Sequence, residues 1–499
     1  MQIGILPDQC PLGLRLLIEL AIETAGNVDG IGQKIGLSDS PVDHFERQHR
    51  KERKLISTSL AVTSCERYVV VLTFAIKLRI DYKLTIMNSQ NQKRAGIPVL
   101  TQIGAGSYHA KGIIFSENVI SVARIFNQAG FLAMVVGGAV RDVMLGMQPR
   151  DVDLVTDASV EDLASLFPQA RRSGTRFMVV VVKMGEEFIE IATLRRKDGT
   201  MVLDGSDAAR APASLWMLLN DDSTQRDFTL NAIYYDPLAQ RLYDPCDGIA
   251  DIRQRLVRPI SGPVACIKYD ALTMVRAVRF SRCRRLGLEP QMEVAIPAHA
   301  ALLATVSTDR RLLELMKQLR SGHALTCMTQ ICRLQLHYGL LPSLDALLED
   351  NASGRFLTIA LSAFDAQPGL SSYASLLATL LWPAVRTARA LHALTGGGPN
   401  TALKRAGLTV LASEGAPLDL ERHLGPQITS IWQIQGLLED PINQDITTLP
   451  LQASFRPGLN LLMLRCEAGE VPANVGQLWL AHYAVRERTL SEQAISESD

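Results

Sequence analysis

The sequence predicts an α+β protein, a mixed-sheet head followed by an all-α neck and body. Three observations carry that reading. Between Ser116 and Tyr235, apolar runs of strand length alternate with amphipathic stretches of helical period. From about Asp270 onward, strand-length runs give way to helical ones. The chain has 499 residues, 47% of them hydrophobic and 20% charged. That is enough for about three domains and a sizeable core.

The first hundred residues stand apart. The stretch 48–54 is charged and 69–78 is apolar, and neither has clear periodicity or caps. Met87 begins an ordinary polar N-terminus. Residues 1–98 are therefore expected to form a divergent extension, disordered or spurious, with a small accessory domain as the other reading. Regular patterning starts at Ser116. Apolar positions Val119, Ile120, Val122, Ala123, Ile125 and Phe126 predict a helix over 118–128. The run 131–136 predicts a strand, and Gly137-Gly138 then leads into a helix over 139–145. A second strand is expected over 152–156. Ser159 and Asp162 open a helix with a capping box, and Pro168 closes it. The runs 178–183 and 187–193 flank Gly185 as a hairpin, and 230–235 reads as a strand or helix. Helices are expected over 271–283, 311–320, 324–337, 373–394 (broken or kinked at Pro383) and 459–467. Trp382 and Trp432 fall on apolar helical positions and are read as core.

Composition removes several functional classes. Fifty-one basic and 51 acidic residues give a formal net charge of zero, so a globally basic nucleic-acid coat is excluded while a local basic groove is not. Aromatic content of 5% argues against many base-stacking platforms. The eight cysteines contain no Cys-x-x-Cys and suggest neither a zinc site nor a disulfide framework. No apolar run approaches the roughly 18 residues of a membrane helix, and the start lacks a signal-peptide pattern. The cytoplasm is the expected compartment, with no membrane partner.

Three clusters carry chemistry. Gly137 and Gly138, between a strand and a helix, let backbone approach a phosphate. Further on, Asp151 and Asp153 alternate on a predicted strand, which puts both carboxylates on one face, suited to gripping Mg²⁺. The second cluster brings Arg226, Asp227 and Asn231 within one short segment, a set suited to ribose and phosphates. An N-terminal helix cap at Asp227 is the alternative there. The third is Arg276 and Arg279 on one helical face, extended by Arg282, Arg284 and Arg285, which points to a phosphate- or RNA-facing surface.

These clusters sit inside five motifs: Gly137-Gly138-x-x-Arg141-Asp142, Asp151-x-Asp153, Glu190 to Arg195, Arg226-Asp227-Phe228-Thr229-x-Asn231, and Arg276-Ala277-Val278-Arg279-Phe280. In that order they resemble the class II tRNA nucleotidyltransferase and poly(A) polymerase family, from about His109 to Pro290, and most of all its bacterial poly(A) polymerase branch. Tyr108-His109, the segment Phe115 to Asn118, and the missing glycine after Phe177 favour that branch, with a patchier likeness around Trp432 and Leu461 to Arg465. The resemblance implies a nucleotidyltransferase head over 107–245, a nucleotide- and RNA-binding neck over 246–300, and a helical body and tail over 301–499. It implies Mg²⁺ on Asp151, Asp153 and Glu190, with Asp227 as a further active-site acid. It implies nucleotide contacts from Gly137, Gly138, Arg141, Asp142, Arg226, Asn231, Asp270, Arg276 and Arg279. The implied substrates are ATP and RNA 3′ ends.

The chain departs from the family pattern in four places, one of them Val181 where the polymerase branch has a histidine. Gln225 replaces the first arginine of an Arg-Arg-Asp motif. The base-reading Glu-Asp-x-x-Arg becomes Tyr269-Asp270-Ala271-Leu272-Thr273, so only Asp270 remains of its fork. The end of the chain is acidic rather than basic. The expected function is addition of AMP to RNA 3′ ends. CCA addition to tRNA and a degenerate nucleotide- or RNA-binding protein are the alternatives.

Overall fold

The computed structural model describes residues 98–482, apart from 105, 174–178, 196–211, 370, 395, 397 and 445–447. The readings placed on 1–97, on Arg176-Phe177-Met178 and on the acidic end lie outside the described residues. Nine strands form one mixed sheet. They are β1 Val99–Gly104, β2 Ser107–Lys111, β3 Ala133–Val136, β4 Val152–Thr156, β5 Arg171–Ser173, β6 Val179–Met184, β7 Glu187–Thr193, β8 Tyr234–Asp236 and β9 Arg241–Tyr243. Their order is β1-β2-β9-β8-β3-β4-β7-β6-β5. The β4–β7 pairing is parallel and the other seven are antiparallel.

Local chemistry sets the elements around the sheet. Helix α1, Glu117–Gln128, begins where the Ser116 side chain accepts the Val119 N–H. Helix α2, Gly138–Met144, follows β3 directly. Helix α3, Val160–Leu166, carries the complete Ser159/Asp162 capping box. The β6–β7 hairpin turns on Gly185, whose φ of 61° suits glycine. Helix α4, Pro212–Ser223, was not foreseen.

Strand periodicity then buries both faces. Val135, Leu154, Ile189 and Ile191 face one core with Val119, Val122 and Phe126 of α1. Met134, Val136, Val155 and Tyr234 face the other with Leu215, Leu218 and Leu219 of α4. Asp153 pairs in register with Val136 and with Glu190, so these three side chains share the α4 face.

Beyond the sheet the chain is mainly helical, with one short parallel strand pair, Leu256–Val257 beside Gly287–Leu288: α5 Gly248–Gln254, α6 Pro263–Tyr269, α7 Thr273–Arg284, α8 Pro290–His299, α9 Thr308–Leu319, α10 Ala324–Arg333, α11 Ala352–Ala366 and α12 Tyr373–Leu380. Helices Trp382–Leu394, Pro399–Ser413, Leu420–Gln433, Gln435–Leu438 and Phe455–Glu467 complete the body. The expected break near Pro383 falls at Leu381, because proline is tolerated in the first turn of the next helix, where its missing N–H has no partner to lose. Segment 230–235 divides into a 3₁₀ turn, Thr229–Asn231, and β8. One contiguous core runs from Ala110 to Leu461, so head, neck and body share it. Trp382 and Trp432 lie in it, each 1% exposed, with their indole N–H groups on Glu470 and the Ala378 carbonyl. Among the described residues, no helix is long and apolar enough to cross a membrane.

The turn after Phe228 is braced from α5. Thr229 donates to Asp251 at 2.7 Å, and Gly248 presses on the Thr229 carbonyl so closely that any Cβ there would overlap it. Gly248→Ala should therefore displace the turn that carries Asn231 and destabilise the protein by roughly 1–3 kcal/mol. Chemical denaturation against the parent chain checks this, and an unchanged midpoint would contradict it.

Candidate active site

A cavity of about 900 Å³ opens where the ends of β3 and β4 meet α7 and α9. Its floor is the Gly137-Gly138 turn. Gly137 has a φ of 74°, which favours glycine, and a Cβ there would sit 3.7 Å from Asp153 Oδ2 and 3.9 Å from Arg226 Nη1. The bare glycine thus leaves room between a carboxylate and a guanidinium. Asp151 and Asp153 both line the cavity. Glu190 stands beside Asp153 in the sheet but does not line the cavity.

The carboxylates are electrostatically crowded. Burial, then Glu190 and Asp151, push the Asp153 carboxyl up to about 6, against the pull of Arg226 and Arg141. Among the described residues, no three His, Cys, Asp or Glu side chains are grouped closely enough to hold a metal alone. Two hard-oxygen donors at a cavity wall nevertheless suit Mg²⁺, which takes one or two carboxylates and fills its other positions with water and substrate phosphates.

The arginines are held by a separate set of acids. Arg226 donates to Asp222 at 2.9 and 3.0 Å, and Tyr234 donates to the same oxygen at 2.8 Å. Burial works against the Arg226 charge, but Asp222 and Tyr234 outweigh it and hold its guanidinium above the ordinary value. Asp222 is 1% exposed and also accepts the Arg195 N–H at 3.2 Å. Sequence reading missed Asp222, although an acid four residues before Arg226 at the end of a helix was a usable signal.

A second network ties the glycine turn to the neck. Arg141 is buried against Asp142 at 2.7 Å, donates to Asn231 Oδ1 at 2.8 Å, and lies 4.7 Å from the Phe280 ring centre. Arg284 of α7 grips both oxygens of Asp142, at 2.8 and 2.7 Å. Asn231 donates to Asp227 at 2.9 Å, as does the Phe228 N–H at 2.8 Å, and Arg276 pairs with Asp227 at 2.7 Å. One Asp227 oxygen thus accepts two hydrogen bonds, while the other faces Arg276 as an ion pair. Arg279 pairs with Glu314 at 2.6 Å while still lining the cavity. Asp270 stands away from this cavity: its carboxylate accepts from Arg310 at 2.6 Å and from the Leu272 N–H at 3.2 Å. The structure therefore gathers Gly137, Gly138, Arg141, Asp142, Asp151, Asp153, Arg226, Asp227, Asn231, Arg276 and Arg279 around one cavity and leaves Glu190 and Asp270 outside its lining. Arg195, the last residue of the Glu190 motif, also lines it, as do Arg150, Lys317 and Arg320, which were unforeseen from sequence.

Cations and a bare glycine turn suit a polyphosphate, and crowded carboxylates opposite them suit a divalent ion. That combination on a mixed sheet defines a nucleotidyltransferase. Family models match as the poly(A) polymerase head domain over residues 133–258, as a probable RNA- and SrmB-binding site of polymerase A over 286–348, and as the polymerase A arginine-rich C-terminus over 395–499. Poly(A) polymerase I of Haemophilus influenzae is 30% identical over 367 residues, 71% of this chain and 81% of that one. Poly(A) polymerase I of Escherichia coli O157:H7 is 29% identical over 394 residues, 76% of this chain and 84% of that one. The CCA-adding enzyme of Geobacillus stearothermophilus is 36% identical over 205 residues, 41% of this chain and 49% of that one. The chain belongs to the bacterial poly(A) polymerase and tRNA nucleotidyltransferase family.

Asp153 makes a signed prediction. Its carboxyl binds a proton more tightly in the fold than in the unfolded chain, so it lowers the stability of the metal-free protein as pH rises from about 4 to about 6. Above that window the penalty is complete. Asp153→Asn should therefore stabilise the metal-free protein at pH 8 by on the order of 1–2 kcal/mol, with a smaller gain at pH 5. It should also weaken any stabilisation by added Mg²⁺. Thermal denaturation at both pH values, with and without Mg²⁺, measures this, and equal gains at the two pH values would count against it.

Proposed function

We propose that this nucleotidyltransferase is a poly(A) polymerase, adding AMP from ATP to RNA 3′ ends in the cytoplasm. The observation that carries the reading is the extent of likeness. Similarity to Escherichia coli poly(A) polymerase I covers 84% of that chain, whereas similarity to the Geobacillus stearothermophilus CCA-adding enzyme covers 49% of that chain. In this reading residues 107–245 are the catalytic head, 246–300 the neck and 301–499 the body and tail.

The Gly137-Gly138 turn gives the triphosphate close backbone approach, and Arg226 meets its charge at the same point. Asp151 and Asp153 would hold Mg²⁺, with Glu190 next to Asp153 in the sheet but outside the cavity, and the ion would supply charge neutralisation at the phosphates. The RNA 3′ oxygen bonds to the α-phosphorus, and the bond from that phosphorus to the pyrophosphate oxygen breaks. The displaced hydroxyl proton passes to water. Arg276 and Arg279 face the nucleotide from α7. Asp227 and Asn231 act through others, since Asp227 fixes Arg276 and Asn231 fixes Arg141. Asp142 does the same for Arg141 and Arg284.

Purified protein with Mg²⁺, each nucleoside triphosphate separately, and either oligo(A) or tRNA lacking its CCA end tests this reading. ATP-dependent lengthening of oligo(A) supports it. Repair of the tRNA end with CTP and ATP identifies a CCA-adding enzyme, and no transfer to either identifies a binding protein. Asp151→Ala and Asp153→Ala should each abolish transfer while leaving the far-ultraviolet circular dichroism spectrum unchanged. Activity within about tenfold of the parent would remove the metal assignment.

The base reader yields a further expectation. Tyr269 and Thr273 cannot reproduce the paired contacts of Glu-Asp-x-x-Arg, and Asp270 is occupied by Arg310. Since a bidentate readout gives ~1–3 kcal/mol of discrimination, preference for ATP over CTP should fall about tenfold to a hundredfold relative to relatives with the full motif. Comparing kcat/KM for the two nucleotides on one primer decides it. Strict use of ATP would show that other side chains read the base.

A further inference from the structure

The cavity has two chemically distinct ends. At the sheet end most of the arginines are committed to carboxylates: Arg141 and Arg284 to Asp142, Arg226 to Asp222, Arg276 to Asp227. The far end is walled by the last turn of α9 and the start of α12. Lys317 and Arg320 lie there three residues apart. Among the described residues neither forms a salt bridge to any carboxylate. Arg320 instead donates through Nη2 to the Gly369 carbonyl at 2.6 Å, and its guanidinium carbon lies 5.6 Å from the centre of the Tyr373 ring. Its Nε is buried with no hydrogen-bond partner.

Tyr373 is held in place independently. It is the first residue of α12, whose N-cap Ser372 accepts the Ser375 N–H through its hydroxyl. The ring is half-buried against the core and still lines the cavity. A guanidinium held by a ring, with an uncommitted ammonium one turn away, presents a flat stacking surface beside a free positive charge. Polyphosphate alone would use the charge and leave the ring idle, as would an acidic peptide. Single-stranded nucleic acid uses both, because bases stack on aromatic and guanidinium planes while phosphates take the cations.

We propose that Tyr373, Arg320 and Lys317 form the acceptor-strand subsite. A base at the RNA 3′ end stacks on the Tyr373–Arg320 step and Lys317 takes a backbone phosphate. The terminal hydroxyl is then directed along the cavity toward Asp151 and Asp153. This assignment rests on the reading of the acceptor as RNA, and it adds the residues that hold it.

The test measures binding directly. The Kd of fluorescently labelled oligo(A) is determined by anisotropy on the full chain, without nucleotide or divalent ion, for the parent, Tyr373→Leu, Tyr373→Phe and Lys317→Ala. Leucine keeps the buried apolar volume and removes the π-face, so Tyr373→Leu should weaken binding about tenfold while Tyr373→Phe stays within about twofold. Lys317 is exposed, so Lys317→Ala should fold normally and lower the slope of log Kd against log salt by about 0.7. In transfer assays the Leu variant should raise KM for the oligonucleotide and leave KM for ATP unchanged. Equal binding by the parent and Tyr373→Leu would overturn the subsite, as would equal weakening by Leu and Phe or an unchanged salt slope for Lys317→Ala. Should no primer be extended at all, the polymerase reading falls, while the anisotropy result still decides whether this subsite holds RNA.

Discussion

The buried carboxylate of Asp142 holds the two halves of the site in one geometry. It is 5% exposed and sits between Arg141 and the fork of Arg284. Through Arg141 the same network reaches Asn231, then Asp227, then Arg276. The glycine turn, the 3₁₀ turn before β8 and helix α7 are therefore placed by one chain of charge-assisted contacts. Such a network adds little net stability, because desolvating its members offsets much of their attraction. Its effect is on position. Removing one member strands a buried charge, at a cost of about 3–5 kcal/mol, so alternative placements of the loop against α7 are strongly disfavoured.

The carboxylates at β4 are treated oppositely. Asp142 and Asp222 are satisfied from several sides, whereas burial, with Glu190 and Asp151 close by, leaves Asp153 with a raised proton affinity. A protein optimised only for folding would place a polar amide there. Local frustration amid satisfied neighbours is the pattern expected of a site kept ready for a charged ligand.

Much of this was legible in the sequence. The Ser159 capping box, the strand at 152–156 and the Gly185 hairpin carry strong local signals, and the structure places them within a residue or so of expectation. The motif residues that converge on the cavity were legible through their order along the chain. The edge strand β1 and its neighbour β2 were not, because Gln102, His109 and Lys111 interrupt their apolar alternation. Asp222 was not read because much of its importance comes from what it meets outside its own helix, Tyr234 12 residues on and Arg195 27 residues back. The Arg310–Asp270 pair joins residues 40 positions apart and has no local signature. Sequence proximity finds groups that share an element. It does not find the partners that tertiary structure supplies.

The separation between Asp142 and Arg284 bears on how the protein is made. The two residues are 142 positions apart, yet the last strand of the sheet ends at Tyr243. On a ribosome, the strands can pair before α7 has left the exit tunnel. During that interval the Asp142 carboxylate has Arg141 as its cation and lacks the fork from Arg284. Closing the span to α7 costs loop entropy, which is recovered only when the fork forms. Synthesis thus delivers a closed sheet first and a braced cleft afterwards, and a nascent chain paused between these points carries the glycine turn without the contact that fixes it.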